Sequence, residues 1–426
     1  MSGLLLLLFL AVLVALDVPI AVALAILAMA AFWAAQGFDS LVTSAVTLFS
    51  AATNFPLLAI PLFVLAGTIM NTAGITRRLV ALASALVGFV RGGLAMVNVA
   101  ASLFFAEISG SAVADVAALG SVLMPAMQRR GYPKEFTAAV TSSSASLAII
   151  IPPSIPMILY AVMADASVVQ LFVAGIVPGL LGGALMMGLC ALYARRHGFP
   201  VEQAFDLCRL WTATREAGWA LLLPLIILGG IFTGTVTATE AAGLAVVAAL
   251  LVGALYRELS PKAILRGARD GVVQTAVVML LIATSALLGE YLTEARIPQA
   301  LTAAITGLTR EPWAVLALLN LLFLVLGCFL HGAAAIILVV PIVMPIVRAV
   351  GIDPVHFGLV VTLNIAIGQQ TPPVASVLMT ACSIAKADIW AVTRWNLPFI
   401  GVLLLVLLLV TYLPAIPLAL VELFYR

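Results

Sequence analysis

Long apolar segments run the length of this chain, and charged residues separate them only at wide intervals. Of its 426 residues, 64% are hydrophobic and 9% are charged, whereas soluble domains have about 45–50% and about 25%. So few charges cannot cover a water-facing surface, and so many apolar residues exclude disorder. Because the apolar runs are long and unbroken, they are typical of spanning helices rather than of barrel strands. The sequence therefore predicts an all-α polytopic membrane protein.

The distribution of basic residues predicts how the chain is oriented in the membrane. Basic residues form clusters at 77–91, 129–134, 195–215 and 257–269. Cytoplasmic segments are enriched in Lys and Arg, so all of these clusters are expected in the cytoplasm. The net charge is only +2 and the cysteines form no CxxC pair. Nucleic-acid binding, a disulfide framework and a zinc site are therefore not indicated.

The segment between the first two clusters is too short and too polar to cross the membrane twice. Its apolar parts, 92–107 and 112–127, have about 16 residues each, or about 24 Å of helix, against roughly 30 Å of hydrocarbon core. The residues between them, Glu107–Ser111, are mostly polar. We therefore predict a re-entrant helical hairpin whose tip lies at membrane depth, against protein or water. The alternative is a pair of short, tilted spans joined by an external turn.

Two stretches of the chain resemble each other at an offset of about 220 residues. Met124-Pro125 matches Met344-Pro345, and Pro152-Pro153 matches Pro372-Pro373. By the charge argument the first copy begins inside the cell and the second begins outside. This is the inverted-topology repeat of secondary transporters.

The repeat divides the chain into four parts. Scaffold helices are expected over 1–90, where the apolar run 4–35 is long for one crossing and 38–55 is expected along the membrane interface. Connecting and scaffold helices are expected over 201–271. The two halves of the repeat are 91–200, with a hairpin over 92–127 and a broken helix over 136–163, and 272–426, with a hairpin over 312–347 and a broken helix over 356–385.

The proline pairs predict two cation sites. Proline has no N–H, so the carbonyl four residues earlier loses its helical partner. The carbonyls freed in this way are those of Ala148, Ile149, Gly368 and Gln369. Unwound carbonyls bind Na⁺ in discontinuous helices, and hydroxyl and amide side chains cluster beside both pairs, at 142–146 and 364–371. The alternative is a proline kink whose polar groups are satisfied by Ser, Thr and water.

The same region predicts a site for an anion. Half-helices are expected to begin near mid-membrane at about Ser111, Ser154, Gly332 and Val374, and helix N-termini carry partial positive charge and free N–H groups. No Lys or Arg lies in the predicted hairpins and broken helices, so an organic carboxylate is the expected ligand. The predicted substrate-binding residues are Ser109, Gly110, Ser111, Asp115, Ser154, His331 and Gln370.

The ionisable residues near the predicted site can also be explained by purely structural roles. Asp115 lies four residues after Ser111, on the same helix face, and ionisable groups in membrane segments favour a functional role. A carboxylate that caps the half-helix is the alternative for Asp115 and for Glu107. A hydrogen-bonded core histidine is the alternative for His331.

Four motifs resemble one transporter family: AIPLFVLAGTIMNTAGIT at 59–76, SGSAVADVAALGSVLMPAM at 109–127, IIPPSIPMILYA at 150–161 and NIAIGQQTPPVASVLM at 364–379. They are similar to the large membrane subunit of tripartite ATP-independent periplasmic (TRAP) transporters, and the resemblance covers nearly the whole chain. It implies an elevator-type fold and Na⁺-driven uptake of organic acids, such as C4-dicarboxylates and sugar acids, across the bacterial inner membrane. It also implies a periplasmic binding protein and a small four-helix membrane subunit, which is not expected to be fused here.

The resemblance further implies two Na⁺ sites. Carried over to this sequence, the first site comprises Ser109, Ser111, Ala148, Ile151 and Pro152, and the second comprises Gly327, Gly368, Thr371 and Val374. Ala148 and Gly368 are also carbonyls that the proline argument frees.

Some positions near these sites depart from the family's usual residues. The family usually has Gly-Pro at Ala148-Ile149, apolar residues at Gln369-Gln370, an acidic residue at His331 and a small residue at Glu107. These departures concern the substrate and the number of coupled ions, not the fold.

Other functions fit the sequence less well. A stand-alone Na⁺/dicarboxylate symporter would share the architecture but need no binding protein. A membrane-embedded enzyme would need HExxH, GxSxG or a paired-aspartate motif, and none is present, so no enzymatic activity is expected. A channel is disfavoured because paired broken helices suit occlusion better than an open pore.

Overall fold

The computed structural model describes residues 18–37, 40–201 and 205–425, together with residues 9, 12, 13 and 16. This described part is built of helices and contains no β-sheet, only an isolated bridge between Arg91 and Val201. By length and composition, eight of its helices can cross a membrane: Phe55–Thr72, Val168–His197, Leu207–Phe232, Ala238–Leu255, Gly271–Glu294, Pro312–Phe329, Gly332–Ala349 and Ile389–Tyr412. The predicted all-α polytopic architecture is confirmed.

Before residue 90, the described residues form the helices Ile20–Gln36, Ser40–Ala52, Ala59–Thr72 and Ile75–Val87. The predicted segment 4–35 is a helix from Ile20 onward, and Asp17 lies outside the described residues. The first three of these helices pack against Pro261–Glu294. Together they form a group against which the repeat packs.

Both predicted hairpins are present. Hairpin 1 consists of Gly93–Ser109 and Ala112–Arg129, and hairpin 2 of Pro312–Phe329 and Gly332–Ala349. Gly110 forms the tip of hairpin 1 with φ +58°, a left-handed conformation that glycine adopts without steric cost. The returning arms begin and end 220 residues apart, as the repeat predicts.

Both predicted broken helices are present as well. Broken helix 1 consists of Lys134–Ala145 and Ile155–Ala164, with a 3₁₀ turn over Ser146–Ile149 before the proline pair. Broken helix 2 consists of Pro354–Gly368 and Ser376–Ala385. The proline pairs lie in the two gaps, because a proline cannot donate to the carbonyl four residues earlier. Both Pro-Pro bonds are cis.

Each hairpin tip contacts the break of the helix that follows it in the chain. The Ile155 N–H donates to the Gly110 carbonyl at 3.3 Å, and the Val374 N–H donates to the Cys328 carbonyl at 3.2 Å. Because each break lies near the middle of its helix, the tips also lie near the middle of the bundle. Both arms of hairpin 2 have the length and composition of spanning helices, but the contact of both tips with mid-helix breaks supports re-entrant hairpins over short spans with external turns.

The two halves of the repeat also pack reciprocally. The returning arm of each hairpin contacts the second half of the other repeat's broken helix. Lys134 Nζ donates to the Lys386 carbonyl at 3.2 Å, and Arg348 Nη2 donates to the Ala164 carbonyl at 2.8 Å. A basic side chain of each half therefore caps the C-terminal end of a broken helix of the other half. Reciprocal contacts of this kind are expected when an approximate two-fold axis relates two inverted repeats.

Two further segments complete the second half of the chain. After broken helix 2, the chain forms Ile389–Tyr412 and Ala415–Tyr425, which are separate helices because Pro414 interrupts the hydrogen-bond ladder. The predicted boundary between the connecting helices, 201–271, and the second half, 272–426, lies inside a 34-residue helix, Pro261–Glu294. This helix starts with proline, which is favoured at the first helical position.

Candidate functional site

A cavity of about 460 Å³ lies where both hairpin tips, both helix breaks and two further helices meet. The further helices are Ala59–Thr72, which contributes Ile60 and Val64, and Pro261–Glu294, which contributes Val273 and its neighbours. Most of the lining is apolar, and its polar side chains are those of Ser111, Thr275, His331 and Gln369. A small-molecule site has this character, with a few polar groups in an apolar wall.

Three helix N-termini point to an anionic ligand in this cavity. The returning arm of hairpin 1, the second half of broken helix 1 and the returning arm of hairpin 2 all begin at its wall, with Ser111, Ser154 and His331 as their N-cap residues. The first N–H groups of a helix have no partner within the helix and carry partial positive charge. At broken helix 1 the first N–H groups are already in use, because Ile155 donates to Gly110 and Met157 donates to Ser154. No Lys or Arg is among the described residues that line the cavity, so the partial charge of the helix starts is its source of positive potential.

The predicted starts of these three half-helices are confirmed. The fourth, predicted near Val374, begins slightly later, at Ser376. The four predicted N-termini therefore do not all meet, and the second break reaches the cavity through Gln369 instead.

Ser154 and Asp115 lie behind the cavity wall. The Ser154 hydroxyl accepts a bond from the Met157 N–H at 3.4 Å and donates to the Ile149 carbonyl at 2.7 Å. Asp115 is fully buried in the first turn of the returning arm of hairpin 1. Neither side chain lines the cavity. Ser154 is thus placed to hold the start of its helix, and Asp115 lies in the first turn of the neighbouring half-helix.

The first predicted ion site is compact. Ala148 is fully buried, Ile151 is buried, and the hairpin tip packs so closely that a Cβ on Gly110 would lie 2.7 Å from the Pro153 carbonyl oxygen. The side chain of Ser109 lies outside the part that the structure describes. The backbone therefore brings the tip of hairpin 1 and break 1 together, as the predicted ligand set requires.

The second predicted ion site also depends on close backbone contact. A Cβ on Gly368 would lie 2.5 Å from the Gly327 backbone. Thr371 lies three residues after Gly368, and its hydroxyl donates to the Ile367 carbonyl at 2.9 Å. Its oxygen keeps lone pairs for a further partner. Gly327, Gly368 and Thr371 are therefore brought together by the structure.

The carbonyls four residues before the prolines lose their helical donors, as predicted, but three of them accept hydrogen bonds from other donors instead. The Ile149 carbonyl accepts from Ser154, the Gly368 carbonyl from the Thr371 N–H at 3.0 Å, and the Gln369 carbonyl from the Val377 N–H at 3.3 Å. The chain turns sharply at each break, which brings later donors back to these oxygens. Because each carbonyl has two lone pairs, such a bond still leaves room for a cation.

Gln370 does not line the cavity, contrary to its predicted role in substrate binding. It is fully buried, and its Nε2 donates to the Ser142 carbonyl at 2.7 Å and to the Ser146 hydroxyl. Its Oε1 accepts from Asn396 Nδ2 at 3.1 Å. Gln370 therefore links break 2 to broken helix 1, while its neighbour Gln369 faces the cavity.

Sequence reasoning placed Asn364 in the polar cluster beside the second proline pair but missed Asn98, Thr141 and Asn320 in the interior. Asn98 Nδ2 donates to Thr141 Oγ1 at 2.6 Å within the first repeat, and Asn364 Nδ2 donates to Asn320 Oδ1 at 2.6 Å within the second. Each bond joins the first arm of a hairpin to its own broken helix. Amide side chains in apolar helices were the available signal, because such groups need partners in hydrocarbon. Thr275 in the cavity wall was also missed, since a single threonine in an apolar helix has no distinguishing pattern.

Comparisons with known proteins agree with the geometry. A family model described as "Tripartite ATP-independent periplasmic transporter, DctM component" matches residues 7–416. The isethionate TRAP transporter permease protein DctMQ of Oleidesulfovibrio alaskensis is 40% identical over 402 residues, which are 94% of this chain and 63% of that relative. The chain thus spans less than two thirds of that protein's length.

Two further relatives are matched over most of their own length. The C4-dicarboxylate TRAP transporter large permease protein DctM of Pseudomonas aeruginosa is 40% identical over 90% of each chain. The sialic acid TRAP transporter large permease protein SiaM of Vibrio cholerae is 37% identical over 87% of each chain. The crystal structure of the Alcanivorax borkumensis YdaH transporter has a TM-score of 0.66 at 16% identity, covering 91% of this chain and 90% of that chain. This last likeness concerns the fold alone.

Proposed function

The chain belongs to the DctM family of tripartite ATP-independent periplasmic transporters, and we propose that it imports an organic acid anion together with Na⁺. It would act as a multi-pass permease of the bacterial inner membrane, with a periplasmic binding protein delivering the substrate and a small membrane subunit as partner. The observation that carries the proposal is the cavity walled by both hairpin tips and both helix breaks.

The chemistry of the cavity supports a small anionic substrate. Three helix N-termini reach its wall, and its volume of about 460 Å³ lies within the roughly 300–1,000 Å³ of small-molecule sites. Ser111, His331, Gln369 and Thr275 would supply hydrogen bonds to carboxylate or hydroxyl oxygens. The relatives named above carry isethionate, C4-dicarboxylate and sialic acid in their names, and each of these is an organic acid.

Two Na⁺ ions are proposed at the helix breaks. The first would be held where the tip of hairpin 1 meets Ala148, Ile151 and Pro152, and the second where Gly327 meets Gly368, Thr371 and Val374. Support comes from the close backbone contacts at both places and from the preference of hard cations for oxygen ligands. Because both ion sites adjoin the cavity wall, ions bound there would hold the tips in the arrangement that binds substrate.

An elevator motion is proposed for the transport step. The hairpins and broken helices pack tightly on one another, and the cavity lies between them and parts of Ala59–Thr72 and Pro261–Glu294. Sliding of the first group along these two helices would carry a bound substrate across the membrane without opening a continuous pore. The mostly apolar wall contributed by the two helices, with Ile60, Val64 and Val273, suits such sliding.

Uptake into proteoliposomes tests the proposal. The chain is reconstituted with its small membrane subunit, and the binding protein is added outside with radiolabelled succinate, isethionate or N-acetylneuraminate. An inward Na⁺ gradient should drive accumulation of at least one of these acids without ATP. Equal uptake when K⁺ replaces Na⁺ would contradict the coupling.

The same experiment separates the proposal from its nearest rival. Uptake should stop when the binding protein is left out. Undiminished uptake by the purified chain alone would instead identify a stand-alone symporter of the same architecture.

A further inference from the structure

A basic, aromatic groove lies away from the cavity described above, at the ends of two helices that can cross a membrane and one shorter helix. It has a volume of about 820 Å³ and lies between Ile75–Val87, Leu207–Phe232 and Ala238–Leu255. The residues that define it are Arg77, Arg78, Trp211, Arg215, Trp219 and Tyr256. The positive-inside rule places these helix ends at the cytoplasmic surface, and therefore at the level of the lipid headgroups.

One of the arginines has a structural role. Arg78 Nη2 pairs with Glu258 Oε1 at 2.8 Å, its Nη1 donates to the Gly74 carbonyl at 3.0 Å, and its guanidinium lies 3.7 Å from the centre of the Tyr256 ring. Hydrogen bonds from Arg78 hold the pKa of Glu258 below its usual range. Arg78 thus fixes the floor of the groove and keeps Glu258 ionised.

The other two arginines are available to a ligand. The side chain of Arg77 is 73% exposed and shares Glu258 with Arg78. Arg215 is exposed and has no ion pair or hydrogen bond with the residues that the structure describes. Glu216 also lines the groove, so three arginines face two carboxylates and the groove keeps a net positive charge.

The aromatic residues indicate that the ligand is a lipid. Trp211 is 71% exposed and Trp219 is 51% exposed, and tryptophan favours the boundary between headgroups and acyl chains. A soluble phosphate compound would leave these indole rings in water. Basic pockets between helices on the cytoplasmic side are known to bind anionic headgroups.

We propose that this groove binds the headgroup phosphate of an anionic phospholipid of the cytoplasmic leaflet, with Arg77 and Arg215 contacting the phosphate and the two tryptophans flanking the glycerol backbone. The three helices that meet there lie outside the hairpins and broken helices. Ala238–Leu255 packs against Ala59–Thr72, so a lipid bound in the groove would brace one of the two helices along which the proposed elevator slides.

Native mass spectrometry of the purified, delipidated chain tests this site. Phosphatidylglycerol is titrated against phosphatidylcholine with the same acyl chains. Wild type should retain phosphatidylglycerol preferentially. The double variant Arg77→Gln/Arg215→Gln should bind it about 25-fold more weakly, because each basic residue near an anionic lipid contributes roughly a factor of five. Arg78 is left in place so that the helix ends stay joined.

Matched controls make the outcome decisive. The double variant Arg195→Gln/Arg269→Gln removes two exposed arginines of the same predicted membrane side outside the groove, and its lipid binding should stay within about twofold of wild type. Equal loss in this control, or equal binding of both lipids by wild type, would overturn the proposal. Displacement of the lipid by millimolar inorganic phosphate would assign the groove to a soluble ligand instead. Exclusion of the lipid by the co-purified small subunit would assign it to that partner.

Discussion

The two helix breaks have the same proline pair but different surroundings. Residues 146–154 around break 1 are all buried, whereas Pro373 and Val374 of break 2 are exposed, Val374 by 41%. Break 1 is covered by Val168–His197, where Gly175 and Gly179 allow Ile150 and Ile151 to approach closely. The helix that follows broken helix 2, Ile389–Tyr412, has one glycine, Gly401, and a Cβ built there would meet nothing within 4 Å, so this glycine brings no backbone close to break 2.

This difference shows how a repeated motif becomes asymmetric. Proline pairs determine where each helix breaks, but the next helix determines whether the break is closed. The second proposed ion site therefore has access from the surface, while the first is closed by Ser154, the hairpin tip and the glycine-bearing helix. In an alternating-access transporter, the inverted halves adopt different conformations in each state, and the two halves swap these conformations during transport. A difference in exposure between the two breaks is therefore expected in any single state.

The largest expected effect is an all-or-none difference in the side of the membrane from which the two halves can be labelled. Arg129 and Ala349 are both exposed and lie 220 positions apart at the ends of the two returning arms. In a background without the native cysteines, Arg129→Cys should react with a membrane-impermeant maleimide only from the cytoplasmic side, and Ala349→Cys only from the periplasmic side. The basis is the clustering of basic residues beside Arg129 and their sparseness around Ala349.

Spheroplasts and inside-out vesicles give the two readings for each variant. If both variants were labelled from the same side, the two halves would not have opposite orientations. The two helix breaks could then not be compared as equivalent positions of an inverted repeat.

The next effect concerns the link between the two breaks. Gln370→Leu removes the carboxamide that joins break 2 to Ser142, Ser146 and Asn396. Each buried group left without a partner should cost about 1–3 kcal/mol, so the midpoint of thermal unfolding of the detergent-solubilised chain should fall by several degrees.

Gln369→Leu is the matched control. It is the same substitution one residue earlier, at a side chain that lines the cavity. It should leave the unfolding midpoint near that of wild type and raise the substrate concentration for half-maximal uptake. Equal destabilisation by both substitutions would show that the buried network does not join the two halves.

The contrast between neighbouring glutamines also shows the limits of sequence reasoning. The hairpins, the proline breaks and three helix starts were predictable because glycine, proline and N-cap residues act locally, through φ angles and missing donors. The partners of Gln370 were not predictable, because Ser142 and Asn396 are far away in the chain and nothing local indicates which side of the break faces them. The same holds for Thr275, whose place in the cavity depends on the packing of another helix.

A smaller effect is expected at the second ion site. Thr371→Val keeps the volume of the side chain and removes its oxygen, which lies beside Gly368 and donates to the Ile367 carbonyl. Loss of one neutral oxygen ligand should cost about 1–3 kcal/mol, or roughly 5- to 150-fold in Na⁺ affinity. Sodium-dependent thermal stabilisation of the purified chain and the Na⁺ dependence of uptake both report this change.

Thr371→Ser is its control, because it keeps the hydroxyl and removes only the methyl group. It should retain most of the Na⁺ affinity. If Thr371→Val shows unchanged Na⁺ dependence, the ion is not held at this break, and the proline pair there serves as a structural kink.

The smallest expected effect measures the difference between the breaks directly. Val374→Cys and Ile151→Cys, each in the background without native cysteines, place thiols next to the two proline pairs. Val374 is 41% exposed and Ile151 is 6% exposed, so Ile151→Cys should react at least about tenfold more slowly, the factor imposed by an opening free energy of about 1.4 kcal/mol. Na⁺ should slow labelling at Val374→Cys, because an ion at Gly368 and Thr371 would hold the backbone beside it. Equal rates for the two thiols would show that the breaks exchange environments faster than they are labelled, and that the asymmetry belongs to one state of a rapid equilibrium.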